Sequence, residues 1–144
     1  MQVEKSRSSA SQMTVGTMVV KTLSLTINIA TDTNCTGKGT ATITTTTGIP
    51  AGSLVYGVVA SVTTIIAGSD GIATWAFGYA GDTDMWGAAL ALAAGTKTSI
   101  VNFTVTSPAY FTAATNLTLT GTGGKLIDSG VVLLTISYAT IAAT

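Results

Sequence analysis

Apolar and polar residues alternate along much of this chain, with the period of two that is typical of a half-buried β-strand. Between residues 22 and 29, leucine and isoleucine take every second position, and threonine, serine and asparagine take the positions between them. Further segments repeat this alternation or are rich in β-branched residues, which favour strands: 41–47, 53–66, 99–106, 116–120 and 131–141. The sequence therefore predicts a chain made mainly of strands.

Glycine and proline punctuate these segments and mark the turns between them. The Gly-Ser-Asp-Gly stretch at 68–71 predicts a hairpin between segment 53–66 and the strand that follows, and Gly57 predicts a bulge or bend. Residues 81–84 (GDTD) predict a loop. Residues 85–94 (MWGAALALAA) are the one segment with helix-forming composition, so a helical turn or two, or an extended loop, is expected there.

About eight strands with almost no helix predict an all-β fold, an antiparallel β-sandwich that is jelly-roll-like, with a barrel as the alternative. The first residues differ from the rest, because 1–14 (MQVEKSRSSASQMT) are charged and serine-rich without periodicity. We predict a flexible N-terminal arm over 1–14 and one β-sandwich domain over 15–144. The arm has no apolar segment of the kind a secretory signal needs, so no such signal is expected.

The chain is poor in charge, since only 8% of its 144 residues are charged, against about 25% in a typical soluble domain. Its six basic residues balance six acidic ones and do not cluster beyond the first seven positions. Nucleic acid is therefore not an expected partner. Apolar runs fall short of the roughly 20 residues of a membrane-spanning helix, so no membrane is expected either. Few charges instead suit a surface buried against protein partners.

Residues able to carry chemistry are scarce. Histidine is absent, which removes the commonest general base and metal ligand, and Cys35 is a single thiol without an activating base. Asp70 and Asp128 fall in predicted turns, where aspartate bonds its own backbone. Asp82 and Asp84 suit either a turn or a hard cation such as Ca²⁺, with fewer oxygen ligands nearby than a full calcium loop supplies. We therefore expect no catalytic residue, metal or cofactor, and no enzymatic activity.

Four aromatic residues are candidate site residues: Trp75, Phe77, Tyr79 and Trp86. The first three alternate on one face of the strand at 73–79, opposite small residues. This arrangement favours a hydrophobic core or a subunit interface, because aromatic rings dominate burial energetics in both. A face that stacks on sugars is the alternative.

Motifs occur along the chain in a recognisable order: IPAGSLVYGV at 49–58, VTT at 62–64, GYAGDTDMWG at 78–87 and AGT at 94–96. In this order they resemble a β-module of virion proteins from tailed bacteriophages, similar to small head-decoration proteins and to domains of head or tail fibres. The resemblance spans residues 48–141. It carries no functional residue of the family to a position here. The apolar Met85 and Trp86, directly after the acidic loop, depart from the open polar loop of a receptor-binding domain.

The resemblance implies a structural role in a virion, often as a trimer. We predict a capsid decoration (cement) protein that binds the major capsid protein on the outer surface of a phage head. It would form a homotrimer, with Lys5 and Arg7 of the arm as capsid contacts. The main alternative is a fibre or spike domain that binds host-surface glycans. A glycosidase and an assembly subunit of another shell or filament are the remaining alternatives.

Overall fold

The chain is almost entirely β-strand in the computed structural model, which describes residues 17–100 and 109–142. The strands of these ranges are β1 (Thr17–Asn28), β2 (Cys35–Thr36), β3 (Thr42–Thr45), β4 (Ser53–Ala67), β5 (Trp75–Tyr79), β6 (Asp82–Leu90), β7 (Lys97–Ile100), β8 (Ala109–Phe111), β9 (Leu117–Gly121) and β10 (Ser129–Ala142). Two single-turn 3-10 helices, Ile29–Thr31 and Thr122–Gly124, accompany them. None of the helices in the described ranges is long and apolar enough to cross a membrane.

The strands form two antiparallel sheets of five strands each. The first, here called the long sheet, has the order β1-β10-β4, with β7 and β8 both pairing with the other edge of β4. The second, here called the short sheet, has the order β2-β3-β9-β5-β6. One hydrophobic core joins the two sheets, so the predicted all-β antiparallel sandwich is confirmed.

Alternate residues of each strand fill the core between the sheets. The long sheet contributes Ile27, Val62 and Leu134, and the short sheet contributes Ile43 and Leu119, all of them fully buried or nearly so. Burying one such aliphatic side chain contributes roughly 1.5–3 kcal/mol relative to leaving it exposed. The period-two pattern of the sequence therefore indicates which side of each strand faces this core.

The turn at 68–71 is a corner between the sheets. The sequence predicts a hairpin there, and this prediction is wrong, because β4 pairs within the long sheet and β5 within the short sheet. Both strands carry an apolar face, and crossing to the opposite sheet lets both faces bury against the same core. The predicted bulge at Gly57 is confirmed, since the β4–β10 register shifts between Ser137 and Tyr138, the partners of Gly57 and Val55.

Two carboxylates hold this corner against the loop that leads into β10. Asp70 Oδ1 accepts a hydrogen bond from the Leu126 N–H (3.0 Å), and Asp128 Oδ2 accepts one from the Ser69 N–H (2.6 Å). The Lys125 Nζ also donates to the Asp70 carbonyl oxygen (3.1 Å). Both aspartates thus bond the facing loop, and the prediction that they bond their own turns is wrong. The two loops are tied together reciprocally.

Segment 85–94 is another departure from the sequence-based prediction, because most of it belongs to strand β6 rather than to a helical turn or a loop. The predicted loop at 81–84 shrinks to a turn at 80–81, and Asp82 already begins the strand. Packing overrides the alanine-rich composition, since β6 pairs with β5 while its Trp86 side chain enters the core. The pairing is irregular, with two register shifts.

Candidate interaction surface

Exposed apolar side chains are concentrated on one sheet. Among the described residues, every large hydrophobic side chain with strong exposure belongs to the long sheet: Val19, Val20, Val59, Ile65, Tyr110 and Leu133. Val20 is 69% exposed and Tyr110 is 57% exposed. Single exposed apolar residues are ordinary on protein surfaces, but their restriction to one sheet is informative.

Strand alternation determines which of these side chains point away from the core. In β1, Leu23 and Leu25 pack against the core, so Val20 and Thr26 lie on the opposite side of the strand. In β10, Val132, Leu134, Ile136 and Tyr138 are buried toward the core, which places the residues between them on the outside. We call this outward side of the long sheet the outer face. Its members, in register across the strands, are Thr26, Leu133 and Ser61; Ser24, Thr135 and Val59; Thr22, Ser137 and Gly57; and Val20, Ala139, Leu54 and Tyr110.

The last of these rows is apolar along its whole length. Val20 pairs with Ala139, Ala139 with Leu54, and Leu54 with Tyr110, so the row crosses β1, β10, β4 and β8. Directly paired side chains in a sheet are close enough to contact one another. Ala139 is fully buried between its larger neighbours although it lies on the outer face. The row is therefore a continuous apolar ridge with exposed ends at Val20 and Tyr110.

The outer-face residues named above are uncharged, and six of the nine that lie outside the apolar row are threonine or serine. Lys21 of β1 pairs with the buried Tyr138 and so belongs to the other side of the strand. Strand β7 continues the first row with Lys97, which pairs with Ser61, so one charged position lies in register at the β7 edge of the outer face. Hydroxyl groups both donate and accept hydrogen bonds, so these positions adapt to many polar partners.

The candidate aromatic residues lie mainly in the core. Trp75 and Phe77 are fully buried, Trp86 is 4% exposed and Tyr79 is half-buried. With Phe111 of the long sheet they form one cluster, with ring centroids 5.5 Å apart for Phe77 and Trp86 and 5.2 Å apart for Tyr79 and Phe111. The Trp75 indole N–H donates to the Ala91 carbonyl oxygen (2.9 Å), which satisfies its polar group.

The remaining candidate residues are scattered. Asp82 and Asp84 are both exposed on β6, and within the described part of the chain no three His, Cys, Asp or Glu side chains come together as a metal site would require. Asp84 borders an open groove of about 360 Å³ whose other lining residues are alanine, glycine and threonine. Lys5 and Arg7 lie outside the described residues, so their role as capsid contacts remains a prediction.

Cys35 is buried at the start of β2. Burial raises the pKa of its thiol above the ordinary value of 9.0, and the nearby Asp32 carboxylate raises it further. A thiol with a raised pKa is mostly protonated at neutral pH and is a weak nucleophile.

Sequence reasoning missed the outer face, although a signal for it was present. Strands that expose one side to water usually carry charged residues there, whereas the polar side of β1 reads Thr22, Ser24 and Thr26. Uncharged hydroxyl residues on the polar side of a strand, continued by Thr135 and Ser137 in β10, identify such a face. The apolar row itself could not be read from the sequence, because it is created by register between strands far apart in the chain.

The fold resembles that of a phage capsid component. No protein-family model matches this chain, and no curated protein matches it. Among solved structures, a chain in the structure described as "Cyanophage Pam1 capsid asymmetric unit" aligns with a TM-score of 0.52 and 16% sequence identity. The alignment covers 87% of this chain and 86% of that chain. At this identity the likeness concerns the fold, and it extends over nearly the whole length of both chains.

Proposed function

We propose that this chain is a structural virion protein of a tailed phage, a capsid decoration (cement) protein that binds the outer surface of the head. The observation that carries the proposal is the fold-level likeness to a chain of a cyanophage capsid asymmetric unit over 87% of this chain. Fold likeness alone does not transfer function. The order of the strands and the chemistry of the outer face add independent support.

The strand order supports a jelly-roll assignment. In a jelly roll, eight strands form two sheets through two Greek keys, an architecture found in viral capsid and lectin domains. Strand β2 extends the edge of the short sheet beyond β3, and β7 and β8 share one position at the edge of the long sheet. Counted in this way, each sheet has four strand positions, in the orders β1-β10-β4-β7/β8 and β3-β9-β5-β6. The chain then alternates between the sheets as two Greek keys require.

The charge-poor outer face supports a protein whose surface is covered within an assembly. Its threonine, serine and apolar side chains are cheaper to remove from water than the charged side chains that ordinary surfaces carry. In the proposed role, homotrimers bridge neighbouring copies of the major capsid protein. Because a bridging protein binds the assembled shell and not separated subunits, it stabilises the shell by mass action.

The N-terminal arm supplies the proposed capsid contact. Lys5 and Arg7 are the basic residues of an otherwise uncharged or acidic stretch, and a trimer would present three such arms at once. Linked weak contacts of this kind bind far more tightly together than singly, because each further contact forms at a high effective concentration.

The proposal is tested by binding purified protein to heads from which it has been removed or deleted. Full-length protein should bind these heads and raise the temperature at which they release DNA. A variant lacking residues 1–12 should stay folded but lose at least about tenfold in affinity, on the scale of a lost multivalent contact. Lys5→Ala/Arg7→Ala should show most of this loss, whereas the control Ser8→Ala/Ser9→Ala should bind normally. Unchanged binding after arm deletion would overturn the arm's role, and failure of the intact chain to bind would overturn the decoration role.

The glycan-binding alternative predicts exposed aromatic rings near Asp82. Phe77 and Trp86 are buried within the sandwich, and Tyr79, which pairs with Asp82, is half-buried with its ring against Trp86 and Phe111. None of the three rings therefore offers the fully open face on which a sugar stacks. No arrangement in the described part of the chain favours that alternative over the structural role.

A further inference from the structure

We propose that the outer face of the long sheet is the surface on which a second copy of this chain docks, with the row Val20, Ala139, Leu54 and Tyr110 as its apolar centre. This inference rests on the proposed virion role and deepens it, by naming the surface that joins the copies. It assigns the arm and the outer face separate tasks, because the arm reaches the shell while the outer face holds the copies together.

Exposure is the first argument for an occupied surface. Val20 and Tyr110 are the two most exposed large hydrophobic side chains in the described ranges, and they stand at the two ends of one register row. Leu133 and Val59 extend the apolar character to two of the three other rows of the outer face. Apolar side chains gathered on one face of a sheet mark a contact site more often than they mark open surface.

The size of the outer face suits the centre of a stable interface. The four rows of the outer face span about 27 Å along the strands, and four neighbouring strand positions span about 19 Å, so the outer face measures about 500 Å². Specific protein interfaces bury about 800 Å² on each partner. The outer face would thus supply more than half of an interface of standard size, and residues around it would supply the rest.

The scarcity of charge on the outer face favours one kind of partner, since Lys97, at the β7 edge, is the one charged position in these rows within the described part of the chain. A distinct partner is usually recognised and steered by complementary charge, which gives specificity and speed. In a contact between copies, by contrast, residues near the symmetry axis face the same residues of the other copy. A charged residue there would be repelled by the identical charge opposite it. Hydroxyl side chains avoid this conflict, because a threonine or serine can donate to its own copy or accept from it. The composition therefore favours a second copy over a different protein.

The outer edge of β1 fits the same arrangement. Among the residues that the structure describes, β1 pairs only with β10, so the other side of this long strand has no partner strand within the described ranges. Long open edges invite pairing with another chain. Val19 and Val20 lie near the exposed end of this edge, next to the apolar row, so a copy that covers the row also shields the edge.

Solution mass, measured by light scattering on a sizing column over a wide dilution series, tests the inference in the full-length protein. The native chain should form an oligomer with a mass of at least twice 14.4 kDa. Val20→Arg and Thr26→Arg each place a positive charge on an exposed position of the outer face and should weaken association at least about 100-fold, because the arginine would be buried in the interface without a partner of opposite charge. Thr36→Arg is the matched control, an exposed strand threonine on the short sheet, and it should leave the mass unchanged.

Each outcome decides a separate point. Since Val20 and Thr26 are exposed in the single chain, their variants should keep the strand-rich circular dichroism spectrum, which separates loss of association from loss of fold. A native chain that is monomeric at every concentration overturns the inference, and so do two arginine variants that remain oligomeric. If the oligomer dissociates as expected but the chain is missing from virions, the docking surface stands and the virion role fails. If monomeric variants still bind heads, the virion role stands apart from self-association.

Discussion

Replacing Trp86 with alanine removes the most deeply buried side chain of β6, which Met85 and Leu90 assist in packing against the core. Trp86 is 4% exposed, and its ring centroid lies 5.5 Å from that of Phe77, 6.0 Å from that of Tyr79 and 6.3 Å from that of Phe111. Phe111 belongs to β8 of the long sheet, so the indole also links the two sheets. β6 is an edge strand with an irregular ladder, which leaves this side chain as its main tie.

The magnitude follows from these contacts. Truncating a buried tryptophan or phenylalanine to alanine costs about 3–5 kcal/mol, and each aromatic pair contributes about 0.5–1.5 kcal/mol beyond its buried area. With several pairs lost, we expect Trp86→Ala to lower the free energy of unfolding by about 4 kcal/mol. Domains are stable by only about 5–15 kcal/mol, so the variant should fold but melt about 10 °C lower.

Chemical denaturation followed by tryptophan fluorescence measures this loss. The chain has two tryptophans, and in the variant the fully buried Trp75 remains as the reporter. Protein concentration must be held constant, because association with other copies adds to apparent stability. Trp86→Phe is the control, since it keeps an aromatic ring in the cluster and should lose less than half as much.

A loss below about 1 kcal/mol, the range of surface substitutions, would refute the core role of Trp86. If such a stable variant also lost binding to host cells or sugars, the glycan-binding alternative would replace the structural one. A large loss of stability that Trp86→Phe largely rescues supports the packing described here.

Two further predictions concern the loops and the thiol. Asp128→Ala should destabilise the protein by about 1 kcal/mol, the scale of one hydrogen bond, and Asp70→Ala similarly. The double variant should lose less than the sum in a denaturation double-mutant cycle, because both bonds join the same pair of loops, and strict additivity would contradict the reciprocal tie. For Cys35 the folded protein holds the thiol proton more tightly than the unfolded chain, so this contribution to stability is complete below the unfolded pKa and is lost as the pH rises through the folded pKa. Unfolding free energies measured as the pH rises past 9.0 should therefore fall more steeply for the native chain than for Cys35→Ala, and equal slopes would show that burial leaves the thiol unperturbed.

Strand positions were the part of the fold most open to prediction. The alternation between 22 and 29 corresponds to the second half of β1, and the inward-facing Leu117 and Leu119 of β9 are fully buried, as their spacing predicts. In both strands, the alternation of apolar and polar side chains indicates which side of the strand faces the core. A sandwich also follows from many short strands without helices, because each sheet must cover the apolar side of another.

Pairing partners and sheet membership could not be predicted in the same way. The turn at 68–71 has the composition of a hairpin, yet it joins strands of different sheets. Its geometry is fixed by Asp70 and Asp128, whose backbone partners lie 56 and 59 residues away along the chain. The prediction for segment 85–94 was wrong for a related reason. Its alanines permit a helix, and only the burial of Trp86 and the pairing with β5 require a strand. The corner at 68–71 and the strand in segment 85–94 both depend on contacts between residues far apart in the chain, which the local composition cannot predict.

The candidate surface was the least predictable feature. Low charge predicted a covered surface somewhere, but not on which sheet. Val20, Leu54, Tyr110 and Ala139 are far apart in the sequence and become neighbours only through the registers of three strand pairs. The aromatic residues, which the sequence singles out most strongly, instead lie mainly inside the sandwich.

The copy number of this chain in purified virions tests the central claim most directly. Quantitative mass spectrometry of gradient-purified particles, encoded by the same genome, compares peptides of this chain with those of the major capsid protein. A decoration protein should be present at a number comparable to the capsid subunits, and removing it should lower the thermal stability of the heads. Absence from the particle would contradict the account, and presence at only a small fraction of the capsid subunits would identify a fibre or spike component instead.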